Sequence, residues 1–206
     1  MKRLSLPIAA SITVGMVLLA ACTGGNKTPG SATPAPSTEA GLPNSGAPKV
    51  DNPLPENVLD GSPCDTALTK EQLNGFLGRT SAPKEKTEVL GPSCDWASES
   101  GSGAGILVGY ETKTGQGLSL TYKNVKPKAS RWVDDLEPVQ GYPAVGYVDV
   151  GTSDNRTCVI TVGVSDDLAY SVSLTLGDKA TAAGKDACDL GRGVADTVLT
   201  NLKAKA

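Results

Sequence analysis

Four cysteines, Cys64, Cys94, Cys158 and Cys188, divide into two pairs with the same spacing of 30 residues. If they oxidise, each pair closes a local loop and restricts the folds open to the chain. Three pairings are open for four cysteines. The equal loops favour Cys64–Cys94 and Cys158–Cys188, and the chain-entropy model gives roughly 3.5 kcal/mol for each. A four-thiolate metal site is a poor fit, because such sites use closely spaced Cys-x-x-Cys pairs and the sequence has none. Whether the cysteines oxidise depends on the compartment, which the N-terminus indicates.

Lys2 and Arg3 precede an apolar stretch from Leu4 to Ala21, and small residues lead to a fifth cysteine, Cys22. Positive, then apolar, then small is the layout of a secretory signal peptide. Leu19-Ala20-Ala21-Cys22 resembles the bacterial lipobox, in which a lipid is joined to the cysteine thiol and cleavage makes that cysteine the new N-terminus. The competing reading, an uncleaved transmembrane anchor, needs about 20 apolar residues and finds barely enough. The expectation is therefore a signal peptide over 1–21 and lipidated Cys22 as the membrane attachment. The protein would then sit on the extracytoplasmic face of a bacterial cell membrane, where disulfides persist.

Residues 22–50 follow as a tether dominated by Gly, Pro, Ser, Thr and Ala, with no aromatic. Such a composition cannot bury enough apolar surface to offset chain entropy. At about 5–6 Å × √n it would reach roughly 30 Å. Residues 51–206 remain for a single domain. Removing the signal peptide takes away two basic residues and no acid, so the net charge moves from −3 to −5. An acidic domain without a basic stripe makes a nucleic-acid partner unlikely on electrostatic grounds.

The fold reads as α+β: a mostly antiparallel sheet with a short early helix and a longer C-terminal helix packed on it. Thr69-Lys70-Glu71-Gln72 has capping-box form, Leu73, Phe76 and Leu77 follow at helical spacing, and Gly78 closes the helix. Cys94 and Trp96 in "SCDWAS" point to one face of a strand. "GILVGY" and "GLSLTY" read as strands around the turn "ETKTGQ", with Leu118, Leu120 and Tyr122 alternating. Cys158, Ile160, Val162 and Val164 alternate, as do Leu168, Tyr170, Val172, Leu174 and Leu176, with "SDD" as the hairpin turn between them. From about residue 184 to 202, Leu190, Val194, Val198 and Leu202 recur every four residues, and Cys188, Gly191, Ala195 and Leu199 widen that stripe.

"NPL", "PCDTALTKEQL", "CDW", "EPVQGYPAV", "CVITVGV" and "DACDLGRGVADTVLTNL" occur in that order between residues 52 and 202. Together they resemble an actinobacterial secreted lipoprotein family catalogued as a domain of unknown function, number 3558. The resemblance implies a secreted lipoprotein domain with two disulfides. It transfers no catalytic residue.

Chemistry is constrained mostly by absence. The chain has no histidine, which removes His-based triads and the commonest general base near neutral pH. Ser81-Ala82-Pro83-Lys84, Lys113-Thr114-Gly115 and Ser153-Asp154-Asn155 match the SxxK, KTG and SDN elements of penicillin-binding proteins and class A β-lactamases. Their order differs from that of those enzymes, and Pro83 disfavours the helix that SxxK needs. The acidic pairs Asp134-Asp135 and Asp166-Asp167 lack EF-hand spacing. The expected reading is a non-catalytic binding or interaction module, with no cofactor and no metal. Its candidate partner surface comprises Arg131, Trp132, Tyr142, Pro143 and Tyr147, the alternative being that these rings fill the core. The partner is an envelope protein or, in a second reading, a small apolar ligand held between the sheet and the C-terminal helix. A hydrolase or serine acyltransferase is the remote third. Cys22→Ser should abolish metabolic labelling with radioactive palmitate, and unchanged labelling would contradict the anchor assignment.

Overall fold

The computed structural model describes residues 41–133, 135–151 and 155–206. The expected signal peptide, Cys22 and the tether as far as residue 40 lie outside the described residues, as do Asp134, Ser153 and Asp154.

A short 3-10 turn over Glu56–Leu59 leads to helix α1 (Pro63–Thr66). The Ser62 side chain caps α1 by accepting from the Cys64 amide, and Pro63 occupies the first turn, where no backbone donor is needed. Helix α2 (Lys70–Leu77) carries the full capping box, with Thr69 and Gln72 bonding each other's backbone. Gly78 ends it at φ 70°, a conformation that a side chain would disfavour. Leu73 and Leu77 of α2 are buried, while Phe76, expected on the same apolar face, is 42 % exposed.

Seven strands follow: β1 (Lys84–Thr87), β2 (Pro92–Ala97), β3 (Gly105–Glu111), β4 (Arg131–Val133), β5 (Ala144–Val148), β6 (Thr157–Gly163) and β7 (Ala169–Thr175). They form one sheet in the order β1-β2-β3-β7-β6-β5-β4, antiparallel at every pairing. The stretch "GLSLTY" is not a strand. It lies in helix α3 (Gly117–Asn124), between β3 and β4. The alternation of Leu118, Leu120 and Tyr122 misleads because the residues buried with Leu118 are Ser119 and Thr121, which are polar. Six residues with hydroxyls on the buried side do not separate period 2 from period 3.6. Ser119 is held inward because its hydroxyl accepts from the Asn44 amide.

Helix α4 (Asp178–Ala182) and the long α5 (Ala187–Lys205) complete the chain. Asp186 caps α5 by accepting from the Cys188 amide at 2.7 Å. The buried stripe of α5 runs through Cys188, Gly191, Val194, Ala195, Val198, Leu199 and Leu202. Leu190, expected in that stripe, is 46 % exposed, so the stripe centres on the Gly191–Ala195–Leu199 side. A Cβ at Gly191 would come within 3.2 Å of Ile160, which shows how closely the helix backbone approaches β6.

One face of the sheet meets α5. Trp96, Ile106, Val108, Tyr110, Ile160, Val162, Tyr170, Val172 and Leu174 point there and are buried. The polar ends of the two tyrosines are satisfied: Tyr170 donates to the Ala195 carbonyl at 2.7 Å, and Tyr110 shares a hydrogen bond with Thr66 at 2.8 Å. Both expected disulfides are present. Cys64–Cys94 ties α1 to β2, and Cys158–Cys188 ties β6 to the first turn of α5. The architecture is α+β as expected, with a mostly antiparallel sheet and a long C-terminal helix.

The packed region begins earlier than residue 51. Val50 is 5 % exposed within the core, and its amide donates to Asp166. Residues 41–50, assigned from composition to the tether, therefore lie against the domain from Asn44 onward. Among the described residues no helix is long and apolar enough to cross a membrane. Leu199→Ala should lower the unfolding free energy by about 2–5 kcal/mol, whereas Leu190→Ala should change it by less than about 0.5 kcal/mol. Urea denaturation with the disulfides intact measures both, and equal effects would contradict the orientation of α5.

Candidate functional site

Alternate residues of each strand point to the second face of the sheet, away from α5. Pairing puts Ser93 beside Gly109, Gly109 beside Ser171, Ser171 beside Thr161 and Thr161 beside Val145. A row of small and hydroxyl side chains thus crosses β2, β3, β7 and β6. Glu111 lies two residues along β3 on the same face. Ser93, Glu111 and Thr161 are 2 %, 4 % and 0 % exposed. Yet Ser93 Oγ and Glu111 Oε2 have no hydrogen-bond partner among the described residues, and Thr161 Oγ1 makes no well-formed bond although the Tyr147 hydroxyl lies near it. Buried polar atoms are rarely left so, because each costs about 1–3 kcal/mol. Five such side-chain atoms occur in the described structure, and these three share one region of one face. A Cβ at Gly109 would come within 3.2 Å of Ser171 Oγ and 4.0 Å of Ser93 Cβ, so this glycine lets the two hydroxyl residues approach across β3.

Burial pushes the Glu111 carboxyl up to about 7, and the Ser171 hydroxyl offsets this only in part. Among the described residues no cation contributes to the shift. Tyr147 is raised well above the usual phenol range, first by burial and then by the Glu111 charge, with Thr161 acting the other way. These shifts place the Tyr147 phenol in the same cluster. Perturbed groups gathered in one place mark functional-site candidates.

Beside this row stands an aromatic wall. Trp132 on β4 pairs with Tyr147 on β5. Their rings stack at 6.2 Å and 12°. Tyr122 of α3 meets Trp132 edge-on at 5.2 Å and 78°. The Lys126 ammonium lies 5.1 Å from the centres of both Tyr122 and Trp132. All three rings are partly exposed, in contrast to the hydroxyl row behind them. Where the face continues past α3, Asp95, Ala97, Leu107, Ser173 and Thr175 line an open cavity of about 350 Å³.

The expected partner surface therefore divides. Trp132 and Tyr147 come together as its core. Arg131 points the other way and clamps Asp186, with Nη1–Oδ2 at 2.6 Å and Nη2–Oδ1 at 2.7 Å. The Asp186 hydrogen bond raises the guanidinium further, and Arg131 lowers the carboxyl in return. Nη2 also lies 2.8 Å from Cys188 Sγ, so Arg131 braces the α5 end of the disulfide. Tyr142 is buried toward α5 with the Lys203 ammonium 4.8 Å from its ring. Pro143 is half-buried and its carbonyl accepts from the Gly163 amide. These two do not join the Trp132–Tyr147 wall. Ser93, Glu111, Thr161 and Ser171 had escaped the sequence reading. Their signal in the sequence is weak: a hydroxyl or carboxyl residue between apolar positions of strands whose same face also carries Gly105, Leu107, Gly109 and Val159.

The acylation elements do not assemble. Ser81 donates its amide and hydroxyl to the Ala97 carbonyl, at one end of β2. The Lys113 amide donates to Leu90, before the other end, roughly 20 Å away along the strand. Asn155 is taken up by Arg131 and the Ala187 amide, and Ser153 and Asp154 lie outside the described residues. Among the described residues no group of three His, Cys, Asp or Glu side chains could hold a metal ion.

Residues 17–201 match a family model described as "Protein of unknown function (DUF3558)". The chain belongs to that family. The match reaches upstream of the described residues and includes Cys22. No curated protein and no solved structure matches this DUF3558 chain.

Glu111 makes the site's electrostatics measurable. Its folded value lies above the unfolded value of 4.5, so the folded state binds the extra proton and stability falls as pH rises from about 4.5 through about 7. The loss for this group is on the order of 3 kcal/mol. Glu111→Gln should remove that part of the slope between pH 5 and pH 8 in urea titrations. An unchanged slope would mean that the carboxyl is not buried without a countercharge.

Proposed function

We propose that this protein is a lipid-anchored, non-catalytic binding module of the bacterial envelope, whose binding face is the side of the sheet away from α5. Lipid on Cys22 would hold it at the extracytoplasmic membrane surface, and the polar segment after Cys22 would give the domain reach. The observation that carries the binding face is the pair of buried oxygens, Glu111 Oε2 and Thr161 Oγ1, that lie toward the partly exposed Tyr147–Trp132 stack, with Ser93 Oγ farther along the same face on β2. Binding sites commonly combine an apolar wall with a few convergent polar groups. Here the wall is aromatic, and the polar groups have unused hydrogen-bonding capacity.

Among the described residues the layer between sheet and α5 holds no aromatic wall beside buried carboxyl and hydroxyl oxygens. Tyr110, Tyr170, Ile160, Val198, Leu199 and Leu202 are fully buried between sheet and α5. That close packing leaves the carrier of a small apolar ligand, placed in this layer, without a supporting observation. The absence of a histidine and the separation of Ser81 from Lys113 likewise leave the acyltransferase reading unsupported.

The partner is sought by photocrosslinking in cells. A benzophenone amino acid at Lys126, beside the aromatic wall, should yield discrete adducts. The same group at Phe76, exposed on α2, should not. Adducts of equal yield at both positions, or at Phe76 alone, would overturn the assignment of the binding face.

A further inference from the structure

Six large apolar side chains are exposed in the described structure: Leu42, Phe76, Val89, Leu90, Val150 and Leu190. Three of them, Leu42, Val89 and Leu90, gather at one end of the domain. Val89 and Leu90 form the tip of the β1–β2 hairpin, closed by the Glu88 amide donating to the Gly91 carbonyl at 2.8 Å. Val89 is 85 % exposed, so this tip presents its side chain almost entirely to solvent. The Lys113 amide donates to the Leu90 carbonyl and its ammonium to the Glu88 carbonyl, both at 3.0 Å, which sets a positive charge against the tip. Thr114 and Gly115 follow Lys113. They line one cavity of about 710 Å³ together with Gly41, Leu42 and Lys123. The hairpin tip, Lys113, Leu42 and Lys123 are therefore contiguous. Gly41, where the described chain begins and the upstream segment joins, belongs to the same end.

We propose that this end of the domain is a second membrane contact, in which Val89 and Leu90 enter the headgroup region of a lipid bilayer flanked by Lys113 and Lys123. The proposal rests on the anchor reading for its setting in the cell, since a lipid on Cys22 would bring a bilayer to the end from which the chain leaves. Its physical content is separate. An exposed apolar tip with ammonium groups beside it would hold the domain against the surface, because apolar side chains partition into the interface and each lysine near an anionic surface adds about fivefold. The carboxylates at this end are Asp51, Glu88, Glu111, Asp166 and Asp167, with Glu111 buried across from Gly91. Asp166 accepts from the Val50 amide and Asp167 from the Ser165 hydroxyl, so the apolar tip, more than net charge, drives the contact.

The test uses residues 23–206, which keep the whole compact unit Thr38–Ala206 with its core and both disulfides and lack the lipidation site. Co-sedimentation is measured with vesicles of 30 % phosphatidylglycerol in phosphatidylcholine. The protein should sediment with these vesicles, and the double variant Val89→Asp/Leu90→Asp should bind at least tenfold more weakly. Phe76→Asp, an equal change at an exposed apolar residue elsewhere, should bind like the unmodified chain. Both sites are exposed, and far-ultraviolet circular dichroism confirms that the variants fold. Absence of vesicle binding, or equal losses from the tip and Phe76 variants, would overturn the proposal. Because no lipid is attached here, these results are independent of palmitate labelling at Cys22: a chain that labels but does not bind vesicles keeps the anchor and loses the second contact.

Discussion

The seating of α5 on the sheet is the constraint on which the other features depend. The helix can approach β6 closely because Gly191 presents no side chain to Ile160, and the Cys158–Cys188 bond fixes its first turn to the same strand. Asp186 completes that turn by capping the helix while holding Arg131 of the edge strand β4. One short segment thus joins a helix end, a central strand and the sheet edge. With α5 in place, the alternate residues of β3, β6 and β7 are committed to a packed layer whose tyrosines have their hydrogen bonds satisfied. The same commitment turns Glu111, Thr161 and Ser171 to the other side.

The two faces consequently have opposite character. Toward α5 the polar groups are few, and the tyrosine hydroxyls at its centre are paired. Toward α3 one carboxylate oxygen and two hydroxyl oxygens are buried without a well-formed hydrogen bond, and the face continues to rings that remain partly in solvent. A protein selected only for stability would gain by replacing such groups with apolar ones, since an unpaired buried polar atom costs more than it returns. Their presence on one face of the sheet is the physical basis for proposing a binding site there. The aromatic wall fits this reading, because stacked rings give contact area while Lys126 keeps their outer side polar.

Much of this fold was legible in the sequence where one period persisted. The β6–β7 hairpin shows nine apolar residues, from Cys158 to Leu176, at alternate positions, and both its strands and its turn were read correctly. The capping box fixed the start of α2, and equal loops of 30 residues pointed to the observed disulfides. Failures occurred where tertiary contacts override local pattern. α3 buries Ser119 and Thr121, which hides its helical period. β1 is "KEKT", exposed on both faces, and only its pairing with β2 makes it a strand. Of the site, Trp132 and Tyr147 were visible as isolated aromatics, but Glu111 and Thr161 were not. A hydroxyl facing solvent and a hydroxyl facing a closed polar row look alike in one dimension.

The central claim is that the face away from α5 holds a buried carboxyl with no countercharge, ready for a guest. Carboxyl-carbon NMR titration of Glu111 in the mature protein tests it most directly. The account requires a midpoint near 7, sensed also by the Ser171 and Thr161 amides on the neighbouring strands. A midpoint at the ordinary value of 4.5 would show a solvated or charge-paired carboxylate, and the case for this face as the binding site would fall with it.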